Sequence, residues 1–182
     1  MASWVQRIVG AAKLDVATYE EVEADSTATV QAMGVVLLSA AAAGVGEIGY
    51  GVRGITVAVA ASLVGWVAWA FLIWLIGTKF LAEPETNADV GQLMRTIGFA
   101  AGPGIIRFLG WIPILGPLID LAAWVWMLIA MIVAVRQALD YKGTGRAILV
   151  CGIGWFVNVI IFVSLASLLG IAVLSVKNMT GA

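Results

Sequence analysis

Three stretches of the chain carry no charged residue over a length that matters: residues 28–46 (ATVQAMGVVLLSAAAAGVG), 55–77 (ITVAVAASLVGWVAWAFLIWLIG) and 147–174 (AILVCGIGWFVNVIIFVSLASLLGIAVL). A helix that crosses a bilayer needs about 20 mostly apolar residues, and few other folds tolerate several such runs. Composition agrees: of 182 residues, 62% are hydrophobic and 12% charged, with a mean hydropathy of +1.04. An ordinary soluble domain is about 25% charged. The chain therefore reads as all-α, an integral membrane helical bundle.

Two further spans are expected between residues 90 and 137. Residues 117–137 begin with Pro117 behind Gly116, at a helix start where a missing N–H is harmless. Residues 90–112 follow Asp89, a suitable N-cap, and run through GFAAGPGIIRFLGWI. As a loop this segment would be long and apolar, against the usual brevity of loops. Pro103 between Gly102 and Gly104 predicts a kinked third helix that forms a helical hairpin with the fourth. Five spans place Arg7, Lys13, Lys79, Arg95, Arg136, Lys142 and Arg146 inside, against Arg53, Arg107 and Lys177 outside. That seven-to-three bias follows the positive-inside rule and predicts a cytoplasmic amino terminus and an external carboxy terminus in a plasma membrane.

The organisation expected is thus residues 1–25 as a cytoplasmic amphipathic helix with an acidic linker, then a five-span membrane domain over 26–182. Val5, Ile8, Ala12, Val16 and Tyr19 recur at helical spacing. Glu20, Glu21, Glu23 and Asp25 read as a solvated face or as the flank of the next helix. Because no small-residue cleavage site separates Arg7 from the first apolar run, that run is expected to stay in the mature protein.

Several functions are disfavoured on chemistry. There is no histidine and one cysteine, Cys151, in an apolar run, so Cys/His metal sites and Ser/His or Cys/His nucleophilic pairs have no members. A net charge of −1 offers no basic surface to nucleic acid. Asn158, Ser164 and Ser167 on the last span lack a neighbouring base, and no charge is expected deep in a span, where a transport path would need one. No catalytic, cofactor or metal residues are expected, and the chain is not expected to be an enzyme.

The remaining candidates concern contact and hairpin geometry. Gly98 and Gly102 form a GxxxG spacing suited to close helix approach, within the bundle or toward another subunit. Arg107 and Asp120 fall where they could pair across the hairpin apex, beside Pro103. Trp111 suits an interfacial belt, whereas Trp66 and Trp69 fall near mid-span, where they would fill gaps or receive a partner.

RIVGAAKLDVATYEEVEAD before the first span, WLIGTKFL ending the second, LMRTIGFAAGPGII opening the third and MIVAVRQALDYKGTGRAI between the fourth and fifth resemble the bacterial branch of the Yip domain family. The resemblance implies a five-span bundle with a cytoplasmic amino terminus and no enzymatic reaction. Eukaryotic members take part in membrane traffic through small GTPases; this chain lacks their long cytoplasmic region and Asp-Leu-Tyr-Gly-Pro type motif. The role expected is a non-catalytic protein that organises membrane assemblies through helix–helix and lipid contacts, alone or as a homo- or hetero-oligomer. A dedicated accessory subunit, or a small-solute transporter or channel, stands as the alternative.

Overall fold

The computed structural model describes residues 2–46, 51–112 and 114–180, with side chains there except at 45–46, 51–55, 57–58 and 169–180. Among the described residues seven α-helices follow one another: α1 Trp4–Ala12, α2 Val16–Ala24, α3 Ala28–Gly46, α4 Gly51–Leu75, α5 Val90–Ala100, α6 Gly116–Ala138 and α7 Thr144–Thr180. A π-helical turn, Ile76–Phe80, extends α4, and a 3-10 helix, Gly102–Trp111, follows α5. The described residues contain no strand.

Among the described residues, three helical stretches are long and apolar enough to cross a membrane: Val59–Phe80, Gly116–Ala138 and Thr144–Leu168. The apolar helix Ala28–Gly44 is shorter. The protein is an all-helical integral membrane protein whose third apolar segment, 90–112, is not a single kinked α-helix. The α-helix stops at Ala100, and the backbone tightens to bonds from Ala101 N to Gly98 O and from Gly104 N to Ala101 O. Pro103 explains the change, since it has no N–H to offer the Phe99 carbonyl and its ring crowds that carbonyl. Three-residue turns then carry the chain on with about 2 Å of rise per residue.

The amino-terminal region also departs from one amphipathic helix. Leu14 adopts φ 64°, and the N–H groups of Leu14 and Asp15 bond back to Ala11 O and Gly10 O, a Schellman end made without glycine. Asp15 then caps α2 by accepting from Thr18 N at 3.2 Å. Asp140, at φ 52°, ends α6 in the same way, with its N–H on Gln137 O and that of Tyr141 on Arg136 O.

Helix α5 is central: Leu93 and every residue from Arg95 to Ala100 are buried. Around it lie Ala32 and Val35 of α3, Trp66, Ala70 and Ile73 of α4, and Ala130, Ala134 and Val135 of α6. α7 turns Ala147, Val150, Cys151 and Gly154 inward, one helical stripe. The predominance of alanine at these contacts has a physical reason. Lipid tails are as apolar as leucine, so association in a bilayer rests on close packing that small residues permit.

The chain on either side of the α5–α6 segment comes back together. Tyr141 Oη donates to Gly77 O and Leu81 O, each at 3.0 Å. Lys142 Nζ meets Glu85 Oε1 at 2.9 Å, and Arg146 Nε meets Glu83 Oε1 at 3.3 Å. Residues 90–138 therefore leave and return to one place, closing a helical hairpin whose apex brings Gly116 against Gly110. A Cβ on Gly116 would lie 2.1 Å from Gly110 O, so only glycine fits.

Gly98 and Gly102 make contrasting tests of this packing. A Cβ on Gly98 would lie 2.7 Å from Ala32 Cβ and 3.2 Å from the Trp66 ring, whereas one on Gly102 meets nothing nearer than 3.5 Å. Gly98→Ala is expected to destabilise by about 1–3 kcal/mol through overpacking, and Gly102→Ala to change stability by less than about 0.5 kcal/mol. Thermal unfolding in detergent should show the first midpoint falling by several degrees and the second unmoved.

Candidate interaction site

Two polar constellations and two clefts stand out from the apolar bundle. The first constellation joins the amino-terminal helices to the rest. Arg7, 2% exposed, places Nη2 at 2.9 Å from Glu21 Oε1 and 2.8 Å from Asp25 Oδ2, while its Nη1 donates to Gln31 Oε1 at 3.0 Å. Glu21 and Asp25 are four residues apart on one face of α2 and its C-cap, and so converge on one guanidinium. Arg95, also buried, donates through Nε to Val22 O at 3.1 Å and Glu23 O at 3.0 Å, and through Nη2 to Glu23 O. These last bonds satisfy carbonyls at the end of α2 that have no intrahelical partner. Tyr19 Oη donates to Ala11 O at 3.0 Å, holding α1 and α2 together. Trp4 Nε1 donates to Gln31 O at 3.2 Å and Trp126 Nε1 to Ala12 O at 2.7 Å, so α1 lies along α3 and α6.

The acidic run is therefore only partly a solvated face. Hydrogen bonds from Thr27 and then from Arg7 lower the Asp25 carboxyl to about 2. The Arg7 bond likewise lowers Glu21. Glu23 behaves oppositely: burial, then the charge of Asp140, push it up to about 7, with Glu20 and Asp89 adding to the rise and Arg95 opposing it. Its Oε1 accepts from Gln92 Nε2 at 3.0 Å. Gln92 also closes a capping box with Asp89 at the start of α5.

The second constellation is at the hairpin. Arg107 Nε donates to Asp120 Oδ1 at 3.3 Å, with both side chains partly exposed. A pair of this kind contributes at most about 1 kcal/mol. Trp111 is 57% exposed at the apex, and Pro103 is buried in the first turn of the 3-10 helix. Trp66 is buried against Gly98 and donates to Met94 O at 2.9 Å; Trp69 donates to Met131 Sδ at 3.1 Å. Gly98 is occupied by Ala32 and Trp66, and Gly102 by Ile8 and Val35, so both GxxxG glycines are covered within the chain. The ion pair between Glu47 and Arg53 that the stretch EIGYGVRG would allow falls outside the described residues and side chains.

A cleft of about 460 Å³ opens between α3, α4, α6 and the hairpin. Ser39, Gly65, Trp66, Trp69, Met131 and Arg107 are among its lining residues. A second, almost wholly apolar cleft of about 590 Å³ lies between α4, α6 and α7, with Trp69, Trp124 and Trp155 on its walls. Asn158, Gln31 and Thr96 line neither. Gln31 is engaged by Arg7, and Thr96 Oγ1 donates to Gln92 O at 3.0 Å within its own helix. Ser167 Oγ likewise donates to Val163 O at 2.8 Å. No group of three or more Cys, Asp or Glu able to hold a metal occurs among the described residues.

Sequence reasoning missed Arg7, Arg95, Ser39 and Trp126. The i, i+4 pair Glu21 and Asp25, following a lone arginine on a short helix, was the one available signal for the first of these. The other contacts join residues far apart in the chain, up to 114 positions for Trp126 and Ala12.

An apolar multi-helix bundle with a closed hairpin and an amino-terminal helical pair clasped to its side defines a class of multi-pass membrane protein. The Yip1 domain family matches residues 18–166, and the chain belongs to it. That family comprises non-enzymatic membrane proteins that interact with other proteins. No curated protein and no solved structure matches the chain.

Two measurements check the amino-terminal clasp. Arg7→Ala leaves Glu21 and Asp25 facing each other without a cation and removes the one guanidinium that joins α1 to α2 and Gln31, so the docking of both short helices should weaken. Hydrogen exchange of the α1 and α2 amides should accelerate while that of α5 stays slow. For pH, the raised Glu23 favours docking of α2 fully below its unfolded value of 4.5, and this contribution is lost as pH rises through about 7. The lowered Asp25 favours docking above 3.8, and its contribution is lost as pH falls through about 2. Protection of α2, corrected for intrinsic exchange, should peak at about pH 4, between those two limits, and Glu23→Gln should abolish the fall on the alkaline side.

Proposed function

We propose that this protein organises membrane assemblies by non-catalytic contact with other membrane proteins and lipids, as a five-span bundle of a bacterial plasma membrane with its amino terminus in the cytoplasm. The observation that carries this reading is the unburied apolar surface of α6 and α7, whose spanning windows are only 22% and 17% buried within the chain. On α6, Leu118, Leu121, Trp124 and Leu128 face outward; on α7, nearly every described side chain from Trp155 to Leu168 does. Lipid covers such a surface equally well, but large aromatic side chains are also the usual anchors of protein contacts.

The five crossings count 90–112 as one of them. Eleven α-helical residues at about 1.5 Å and ten 3-10 residues at about 2 Å give about 36 Å, enough for a core of about 30 Å. Membership of a family whose proteins bind other proteins supports the role. The exposure of α7 from Trp155 to Leu168 favours one narrower reading, a dedicated accessory subunit held by that helix.

Purification from native membranes in mild detergent, with native mass spectrometry of what stays attached, tests the proposal. Fixed-stoichiometry partners or a defined homo-oligomer are expected. The double variant Trp155→Ala, Phe156→Ala should lower their recovery at least severalfold with little change in unfolding temperature, because both side chains are more than half exposed. A 19.1 kDa monomer without companions would end the protein-contact half of the reading.

A further inference from the structure

We propose that the cleft beside the hairpin is a headgroup-selective phospholipid site, taking a lipid whose phosphate is followed by a primary ammonium, as in phosphatidylethanolamine. This deepens the lipid half of the proposed function and rests on it. The first observation is Ser39. It is 5% exposed, lines the cleft, and has no hydrogen-bond partner among the described residues, yet its hydroxyl is not fully occluded. A serine in a spanning helix usually bonds a carbonyl of its own helix, as Ser167 does. Ser39 instead keeps both a donor and acceptors for something in the cleft.

The second observation is the register of Arg107. A Cβ on Gly104 would lie 2.1 Å from Ser39 Oγ, so residue 104 of the 3-10 helix faces Ser39 directly. Residues i and i+3 eclipse in a 3-10 helix, one turn and about 6 Å apart. Arg107 therefore stands over Gly104 on the Ser39 side of the hairpin. Asp120 engages only Nε of Arg107, leaving both Nη groups without a partner among the described residues. A guanidinium fork and a hydroxyl on one wall are donors matched to a phosphate.

Depth and charge select the occupant. Asp120 is in the first turns of α6, at one end of a span, so the Arg107–Asp120 pair sits at headgroup level. Below it the cleft continues between Trp66, Trp69, Met127 and Met131, apolar walls suited to an acyl chain, in a volume of about 460 Å³. Asp120 is half-exposed and would repel a net anionic headgroup, whereas an ammonium two carbons beyond the phosphate meets it as a donor. Choline offers no N–H there.

The test uses the full-length protein in detergent micelles containing equal dioleoyl phosphatidylethanolamine, phosphatidylcholine and phosphatidylglycerol, with retained lipids counted by native mass spectrometry. One phosphatidylethanolamine per chain, held about three- to tenfold over either competitor, is expected. Ser39→Ala, which preserves shape, should reduce that retention by a similar factor. Arg107→Gln should remove the selectivity, and Asp120→Asn should transfer it to phosphatidylglycerol, an inversion that a merely structural aspartate would not produce. Equal retention of the three lipids, a lead for either competitor in the unaltered protein, or selectivity that survives Ser39→Ala undiminished would overturn the proposal. Chains that keep their protein partners yet show no headgroup preference overturn this inference alone. Selective chains without protein partners overturn only the protein-contact half of the function above.

Discussion

The missing N–H of Pro103 is the constraint from which the hairpin takes its shape. Without that donor the α-helix ends at Ala100, and the chain continues in three-residue turns that put Gly104 against Ser39 and carry Arg107 over the same wall. The tighter helix is also the longer one per residue, so ten residues reach an apex that an α-helix of equal length would miss by about 5 Å. At that apex Gly110 and Gly116 bring two backbones into contact, and Arg107 bridges to Asp120 on the returning helix.

Close approach holds the rest. In lipid no solvent drives helices together, so the contacts of α5 with α3, α4 and α6 depend on surfaces stripped to glycine and alanine. Trp66 shows how a large residue enters such a core: it lies over Gly98 and gives its N–H to the Met94 carbonyl, leaving no polar atom unmet. The base of the hairpin is tied outside the apolar region, where Tyr141, Lys142 and Arg146 reach the chain between Gly77 and Glu85.

The amino-terminal pair follows different physics. Two arginines that are almost wholly buried would be untenable alone; Arg7 is met by two carboxylates and an amide, and Arg95 by the carbonyls at the end of α2. Charge is thus used to clasp two short helices to the side of an apolar bundle, while Glu23, half-buried and near its titration point, makes that clasp responsive to pH.

Hydropathy and length alone were sufficient for the all-helical membrane class, because a charge-free run of twenty residues has almost no other stable solution, and local chemistry sufficed for the cap at Asp89 and for Pro117 in the first turn of α6. The break at Leu14 was illegible, since its left-handed turn is made without the glycine that would announce it. Pro103 advertised a disturbance, but whether a helix kinks or tightens depends on neighbours that take up the freed groups. Above all, pairing of Arg7 with Glu21, of Arg95 with the end of α2, and of Ser39 with Gly104 joins segments distant in sequence. A one-dimensional pattern specifies which face of a helix is apolar; only tertiary packing decides which opposing face it meets, and so which polar groups are satisfied and which are left open to a ligand.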